Sequence, residues 1–422
     1  MFENTVFGKI DANLQKAIFD AGYRRPTPIQ TAAIPHLLAR KDMIGCASTG
    51  TGKTAAFMLP ILHHLLRVRK PRRIGHPRAL VLSPTRELAV QTAQCIGRYS
   101  SHVSLPYACL IGGVSQVNQV KDIKKGAETY VACPGRLIDL MTQGIVYLDQ
   151  VECFVLDEAD RMLDMGFYDD IMKVVKMLPQ TRQTIMFSAT MPENIQKLAH
   201  NILNNPVEIK IAVSKPADKI KQTAYLCHEN MKHKIMAHIL KDNNHDKIIV
   251  FASSKQKVKE LYAEYSRKGL NVGEIHSDLL QSEREKIMHE FKNNHKKILI
   301  ATDIISRGID IDDIQLVINY DVPKDPEDYV HRIGRTARAN RDGEAITLVS
   351  SKDYYNLVKI EKLIEREIPK PELFEDCGEK LDIKEFNVKN AHKKRIQNHH
   401  CNNSRKSNKS KRRNNKTNKN NS

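Results

Sequence analysis

No apolar run in this 422-residue chain approaches the roughly 18–20 residues needed to cross a bilayer, so a helical membrane span is excluded. The first residues, Met1-Phe2-Glu3-Asn4-Thr5, have neither a basic start nor an apolar stretch, and no secretory signal is expected. Eight cysteines (46, 95, 109, 133, 153, 227, 377 and 401) are scattered and never form a C-x-x-C pair. They read as reduced, mostly buried thiols in a cytoplasmic protein, with no zinc site expected. Acidic residues are missing from Asn390 to Ser422, where eleven Lys or Arg stand.

Those eleven cations are over half of a net charge of +18, which favours a polyanionic partner. The last 33 residues are mostly Asn, Lys, Arg and Ser and cannot bury enough surface to offset ordering entropy. They read as a disordered basic tail, and a nucleic-acid arm is favoured over a merely solubilising one. The length of the chain calls for two or three domains.

The organising stretch is Ala47-Ser48-Thr49-Gly50-Thr51-Gly52-Lys53-Thr54, between an apolar strand at Met43–Cys46 and the helix-like Ala55–Leu59. Gly50 and Gly52 let backbone N–H groups turn around an anion. Lys53 supplies charge for the outer phosphates, and the Thr54 hydroxyl suits Mg²⁺. Ala47 stands where the strict phosphate-loop pattern has glycine. Upstream, the prolines of Gly22–Gln30 force an extended path and place Gln30 at a helix start, where its amide can either read adenine or simply be solvated.

Downstream, short apolar strands repeatedly deliver polar clusters at their carboxyl ends: Ser83–Leu88, Gly112-Gly113, Cys133–Arg136, Asp157–Asp160 and Ser188–Thr190. That is where an open parallel sheet with helices on both faces binds ligands. The basic connection Arg67–Arg78 reads as a solvated loop, with a nucleic-acid contact as the alternative. The pattern lapses near 208–218, a linker, and then restarts. The second half ends its strands in Ala252–Lys255, His276–Asp278, Ala301–Asp303 and Asn319–Asp321, and it lacks a phosphate loop. The expected division is 1–207, a linker at 208–218, a second domain at 219–368 and a tail at 369–422.

Asp157, at a strand end after the phosphate loop, is placed for a carboxylate that holds Mg²⁺. Glu158 is placed to orient or deprotonate water. In His331-Arg332-Ile333-Gly334-Arg335-Thr336-Ala337-Arg338, Arg335 and Arg338 share a helix face. Either this is a solvated basic helix, or the arginines serve a γ-phosphate bound in the first half.

Asp157-Glu158-Ala159-Asp160 spells the signature of the DEAD-box RNA helicases, and the ordered set resembles that family over about residues 7–368. The set comprises Gly22–Gln30, Ala47–Thr54, Pro84–Ala89, Gly112-Gly113, Ser188–Thr190, Ala301–Asp310 and His331–Arg338. Helicases of this group commonly carry alanine where Ala47 stands. The segment Arg341–Pro369 looks most like the bacterial RhlE subgroup.

The resemblance implies two tandem RecA-like α/β domains that close over ATP, Mg²⁺ and single-stranded RNA. Phe7 would stack on adenine, Gln30 would read its edge and Arg25 would join the nucleotide site. Lys53, Thr54 and Asp157 would hold phosphates and metal, Glu158 would position water, and Asp310 would touch the ribose. Arg335 and Arg338 would act as fingers. Asp160, Ser188, Thr190 and His331 would couple hydrolysis to strand separation. Thr85, Arg86, Gly112, Gly113, Gly135, Arg136, Gln281, Arg284, Thr302 and Arg307 would hold RNA.

Three positions depart from the family pattern. Cys133 replaces a threonine and removes a hydroxyl, Ser277 replaces a glycine, and Phe7 lies two residues closer to the glutamine motif than is usual. The resulting expectation is an ATP-dependent helicase that opens short RNA duplexes locally, in ribosome assembly or RNA turnover. A DNA translocase and a non-catalytic RNA clamp are the rival classes.

Overall fold

The computed structural model describes residues 2–47, 50–211, 220–241, 245–303, 314–336 and 343–381. Ser48, Thr49, Arg307, Asp310 and Arg338 therefore lie outside the described residues, as do most of the linker stretch and positions 382–422.

Seven strands form the first sheet: β1 (Met43–Cys46), β2 (Ala79–Leu82), β3 (Tyr107–Leu110), β4 (Thr129–Ala132), β5 (Cys153–Leu156), β6 (Gln183–Ser188) and β7 (Val207–Lys210), in the order β3-β4-β2-β5-β6-β1-β7. Six form the second: β8 (Ile220–Leu226), β9 (Ile248–Phe251), β10 (Val272–Ile275), β11 (Ile298–Ala301), β12 (Leu316–Asn319) and β13 (Gly343–Val349), in the order β10-β11-β9-β12-β13-β8. Every pairing is parallel, so all carboxyl ends of a sheet lie along one edge.

Strand alternation sorts the first domain's apolar residues into two cores. Met43, Ala79, Val81, Val155, Ile185 and Phe187 pack on one face of the sheet. Ile44, Leu80, Leu82, Phe154, Leu156 and Met186 pack on the other. The second sheet divides likewise, with Ile248, Val250, Ile300 and Ile318 on one face and Ile249, Phe251, Leu299 and Val317 on the other. Both faces are covered by helices, as expected. Among the described residues, no helix is long and apolar enough to cross a membrane.

Two boundaries differ from the sequence reading. Val207–Lys210 is paired in register with β1, so the first sheet runs into the stretch read as linker. Beyond Ile368 the chain continues along the second domain. Ala224 N–H donates to Pro369 O at 2.9 Å, Leu381 N–H donates to Leu226 O at 3.3 Å, and Leu373, Phe374 and Cys377 join a core cluster. The apolar content after Pro369 is sparse in the sequence, but it falls on an edge strand that needs a partner.

In the basic connection 67–78, four of the six Lys and Arg residues, with His76, pair with three carboxylates. Arg72 and Arg78 pair with Glu128, Lys70 and Arg78 with Glu152, and Arg73 and His76 with Asp149. Arg78 is the buried centre, 4 % exposed, and its Nε donates to Glu152 at 2.6 Å. Burial by itself raises the Glu152 carboxyl. Hydrogen bonds from His64, Arg78 and Lys70 outweigh that and hold it well below the usual carboxylate range.

Arg78→Met leaves Glu152 and Glu128 without their buried cation and is expected to destabilise the first domain by about 3 kcal/mol in urea titrations at pH 7. Because the folded-state pKa of Glu152 is depressed, its contribution is complete above the unfolded pKa and is lost as pH falls through the folded one. The gap between wild type and Arg78→Met should therefore narrow in acid; a constant gap would contradict this account.

Candidate nucleotide site and nucleic-acid interface

The phosphate loop leaves β1 beside β6, and Ala47 N–H donates to Ser188 O at 3.1 Å. Gly50 and Gly52 have φ of 81° and 92°, the left-handed region that lets the loop curl. Gln30 holds the loop from outside. Its Nε2 donates to Gly52 O at 3.0 Å, and its Oε1 accepts from Thr27 N–H at 2.9 Å. A Cβ on Gly52 would collide with that amide. Each Gln30 amide atom keeps a second hydrogen-bonding position, so clamping the loop and reading a base edge are compatible.

Lys53 opens the Lys53–Arg67 helix and is buried, and its Nζ has no hydrogen-bond partner. Thr54 follows it, half-buried. Two strands away, beyond β6, β5 delivers Asp157, 2 % exposed, whose Oδ1 is also buried without a partner. Burial holds the Asp157 carboxyl well above its ordinary value. Lys53 pulls it part of the way back, and Glu158 pushes it up again. Buried charged atoms left unbonded are costly and rare. An ammonium and a carboxylate in that condition fit a polyphosphate with its divalent cation.

Glu158 sits at φ 53°, ψ 55°, a left-handed conformation that costs a non-glycine residue about 1–2 kcal/mol. Arg161 Nη1 donates to its Oε2 at 3.3 Å. Asp160 faces the next strand end. Its Oδ2 accepts from Ala189 N–H and Thr190 N–H, both at 3.0 Å, and from the Thr190 hydroxyl at 3.3 Å. Ser188 Oγ donates to Thr190 O at 2.7 Å. Asp160, Ser188 and Thr190 thus form one bonded unit behind the phosphate loop.

Phe7 is corrected. Its ring is fully buried, edge-on to Phe2 at 5.3 Å and to Tyr23 at 6.1 Å, inside the first core. A ring with no open face has no surface on which to stack a base, and its role here is to pack the 3₁₀ turn Val6–Lys9. Arg25 is exposed.

A second constellation lies at the carboxyl ends of β2, β3 and β4. Thr85 caps the Arg86–Tyr99 helix, its hydroxyl accepting from Leu88 N–H at 3.4 Å. The Arg86 guanidinium lies over Gly112-Gly113, where a Cβ on Gly113 would fall on it, and Gly113 has φ 76°. Arg136 Nη2 donates to Val114 O at 3.1 Å, and Gly135 is exposed with open space around it. Cys133 stands at a helix N-cap without a side-chain cap bond, the contribution a threonine would make there. Burial pushes its thiol up to about 12.

On the second domain, Gln281 opens the Gln281–Lys292 helix, and its Oε1 is buried without a partner. Arg284 Nη2 donates to Ser277 O at 2.9 Å, and its Nη1 reaches Glu87 of the first domain at 3.3 Å. Thr302 is half-buried at the end of β11. The two RNA-facing sets expected from the sequence are therefore tied together by an ion pair across the domains.

The nucleotide side is crossed as well. A crevice of about 80 Å³ is lined by Asp160, Asp164 and Thr190 from the first domain and by Glu327, Asp328 and His331 from the second. Arg335, 4 % exposed, follows the Pro326–Ile333 helix. One residue missed in the sequence fixes that helix. Arg332 Nε and Nη2 grip both oxygens of Asp303 at 2.5 and 2.6 Å, and its Nη1 donates to Asn319 Oδ1 and Asp321 O. The available signal was Asp303 itself, an acid delivered by a buried strand.

A phosphate loop on one of two consecutive all-parallel sheets, with the second domain facing it, defines a two-domain RecA-like nucleoside-triphosphate hydrolase. Residues 27–198 match the DEAD/DEAH box helicase family model, and residues 231–340 match the helicase conserved C-terminal domain. The chain is 41 % identical over 352 residues to the ATP-dependent RNA helicase CshA of Limosilactobacillus reuteri, covering 83 % of this chain and 70 % of that protein. It is 39 % identical over 361 residues to the ATP-dependent RNA helicase RhlB of Pseudomonas syringae, covering 84 % and 91 %. Among solved structures, Saccharomyces cerevisiae Dbp5 bound to RNA and ADP BeF3 superposes with a TM-score of 0.77 at 31 % identity, covering 86 % of this chain and 94 % of that one. The chain belongs to the DEAD-box family of ATP-dependent RNA helicases.

Asp160→Ala removes a charged acceptor worth about 1.5–3 kcal/mol per hydrogen bond. Amide hydrogen exchange at Ala189 and Thr190 should accelerate about 10- to 100-fold, with the β5 and β6 amides unchanged. Unaltered exchange at both positions would show that the carboxylate does not hold the loop.

Proposed function

We propose that RNA bound across both domains completes the nucleotide site, so that ATP hydrolysis is RNA-stimulated and drives local, non-processive opening of short duplexes. The observation that carries this reading is the buried, unbonded pair of Lys53 Nζ and Asp157 Oδ1 behind the phosphate loop. In this reading Lys53 binds the outer phosphates and Gln30 fixes the loop over the base. Thr54 and Asp157 would hold Mg²⁺, which supplies charge neutralisation on the phosphates when bound. Glu158 orients the attacking water and receives its proton as the bond from the γ-phosphorus to ADP breaks. Arg335 and Arg338 stabilise the charge on the transferred group. Asp160, Thr190 and His331 meet at the crevice and relay the state of the phosphates to the second domain.

Thr85, Arg86, Gly112, Gly113, Gly135 and Arg136 grip the RNA backbone on the first domain, and Gln281, Arg284, Thr302 and Arg307 grip it on the second. Asp310 contacts the ribose and Arg25 edges the nucleotide pocket. The physiological setting we favour is cytoplasmic ribosome assembly or RNA turnover, with a subgroup affinity to RhlE. The basic segment 390–422 serves as an additional RNA arm.

Glu158→Gln should keep nucleotide binding and lose RNA-stimulated turnover by about 10²-fold or more, at least the lower end of what one acid–base group contributes. Wild-type turnover rates, or equal stimulation by single-stranded DNA, would overturn the reading. Removing 390–422 takes away eleven cations, and each phosphate that is no longer neutralised lowers the slope of log affinity against log salt by about 0.7–0.9. RNA titrations between low and moderate salt check this, and an unchanged slope would leave the tail without a role in binding.

A further inference from the structure

Residues 369–381 do more than cover the edge of β8. They carry a 3₁₀ turn, Glu375–Cys377, onto the Lys232–Lys241 helix of the second domain. Phe374 is the wedge. Its ring stacks on His238 at 4.6 Å and on Tyr225 at 5.7 Å. The turn closes with Cys377 N–H donating to Phe374 O at 2.8 Å. This geometry aims two consecutive side chains at the imidazole. His238 Nε2 lies 2.7 Å from Asp376 Oδ1, and Cys377 Sγ lies 3.7 Å from the same oxygen. All three donor atoms fall within 4.8 Å of one another, the one such His/Cys/Asp/Glu group among the described residues.

We propose that His238, Asp376 and Cys377 form a binding site for a borderline divalent cation of the zinc–cobalt class, with a fourth position open to water. Metal–donor distances of about 2.0–2.3 Å in a tetrahedron separate the donors by about 3.3–3.8 Å. The three atoms therefore reach coordinating positions through side-chain shifts of about 1 Å or less. One nitrogen, one oxygen and one sulfur select neither magnesium, which wants oxygen alone, nor soft monovalent copper. The Phe374 stack fixes the imidazole plane, the orienting role that outer contacts play in metal sites. Cys377 is 1 % exposed and so is shielded from competing thiol chemistry, while the carboxylate at 63 % side-chain exposure gives the ion an entry path. On binding, the Cys377 thiol releases its proton to solvent. The cation would pin the end of the packed chain to the second domain, just before the basic segment begins.

The sequence beyond 381 also contains His399-His400-Cys401, a ligand set of its own, and the test must separate the two. The reduced full chain is stripped with chelator and titrated with Co²⁺, following the thiolate-to-cobalt charge-transfer band, then challenged with Zn²⁺. One equivalent with a thiolate band is expected. Cys377→Ser should abolish the band and weaken affinity more than about 100-fold, since even outer contacts cost about 10- to 100-fold. His238→Ala, at a partly exposed position, should weaken affinity to a similar degree and serves if Cys377→Ser fails to fold. A His399→Ala/His400→Ala/Cys401→Ser variant should keep the band. No thiolate band in the wild type, or a band that survives Cys377→Ser and vanishes in the triple variant, overturns the proposal.

Discussion

The carboxylate of Asp160 is the interaction on which the site depends. It accepts hydrogen bonds from two consecutive backbone N–H groups and a hydroxyl at the end of β6. The same strand end, through Ser188 O, receives the Ala47 N–H of the phosphate loop. The carboxyl ends of β5, β6 and β1 are neighbours in the sheet; Asp160 joins the first two, and the backbone bond from Ala47 joins the third. The far side of Asp160 lines the crevice with His331 of the second domain. A change at the nucleotide that moved the turn after β5 would be felt at once in the loop after β6, because charge-assisted bonds to backbone are among the stronger ones in a protein.

That edge of the sheet is held under tension rather than at rest. Lys53 and Asp157 keep buried polar atoms unbonded, and Glu158 occupies a backbone region that its side chain disfavours. Such costs persist only where the surrounding fold over-determines the geometry. Here the constraint comes from two fully buried strands, β5 and β6, and from Gln30, which clamps Gly52 from the helix that begins at Pro28. Glutamine therefore has a structural duty at this position in addition to any contact with a base. The site is pre-arranged for charge before its ligand arrives, which is where electrostatic catalysis draws most of its effect.

Much of this was legible because strand periodicity and strand-end chemistry are local. Each four-residue apolar run and the cluster after it could be read without knowing the fold, and parallel topology then gathered the clusters on one edge. What escaped were pairings between residues distant in sequence. Arg332 reads as one more cation in a basic stretch until Asp303 is seen to take both its Nε and its Nη2. In loop 67–78 the solvated reading holds for residues 67–74, which are exposed, but it could not show that Glu128, Asp149 and Glu152 arrive from later strands and turns to pair with its cations. Phe7 matches a family position by order, but spacing could not show that Phe2 and Tyr23 would enclose it. The packed chain past Pro369 was missed because its apolar residues are few, and their value depends on an edge strand formed far earlier in the chain.

Among the described residues, charged side chains stand on both sides of the boundary between the two domains. Arg284 and Glu87 pair at 3.3 Å at one point of that boundary, and carboxylates with His331 line the crevice at another. The Arg284 and Glu87 side chains are only 12 % and 15 % exposed, so the pair is largely shielded from water and salt, and removing one partner would leave the other charge partly buried. An apolar interface of the same reach would lock the domains together, since burial is proportional to area and insensitive to ligand charge. Contacts made through charge respond instead to charge added beside them. A polyphosphate on one side and a polyanionic strand on the other would each add charge where charged side chains already stand.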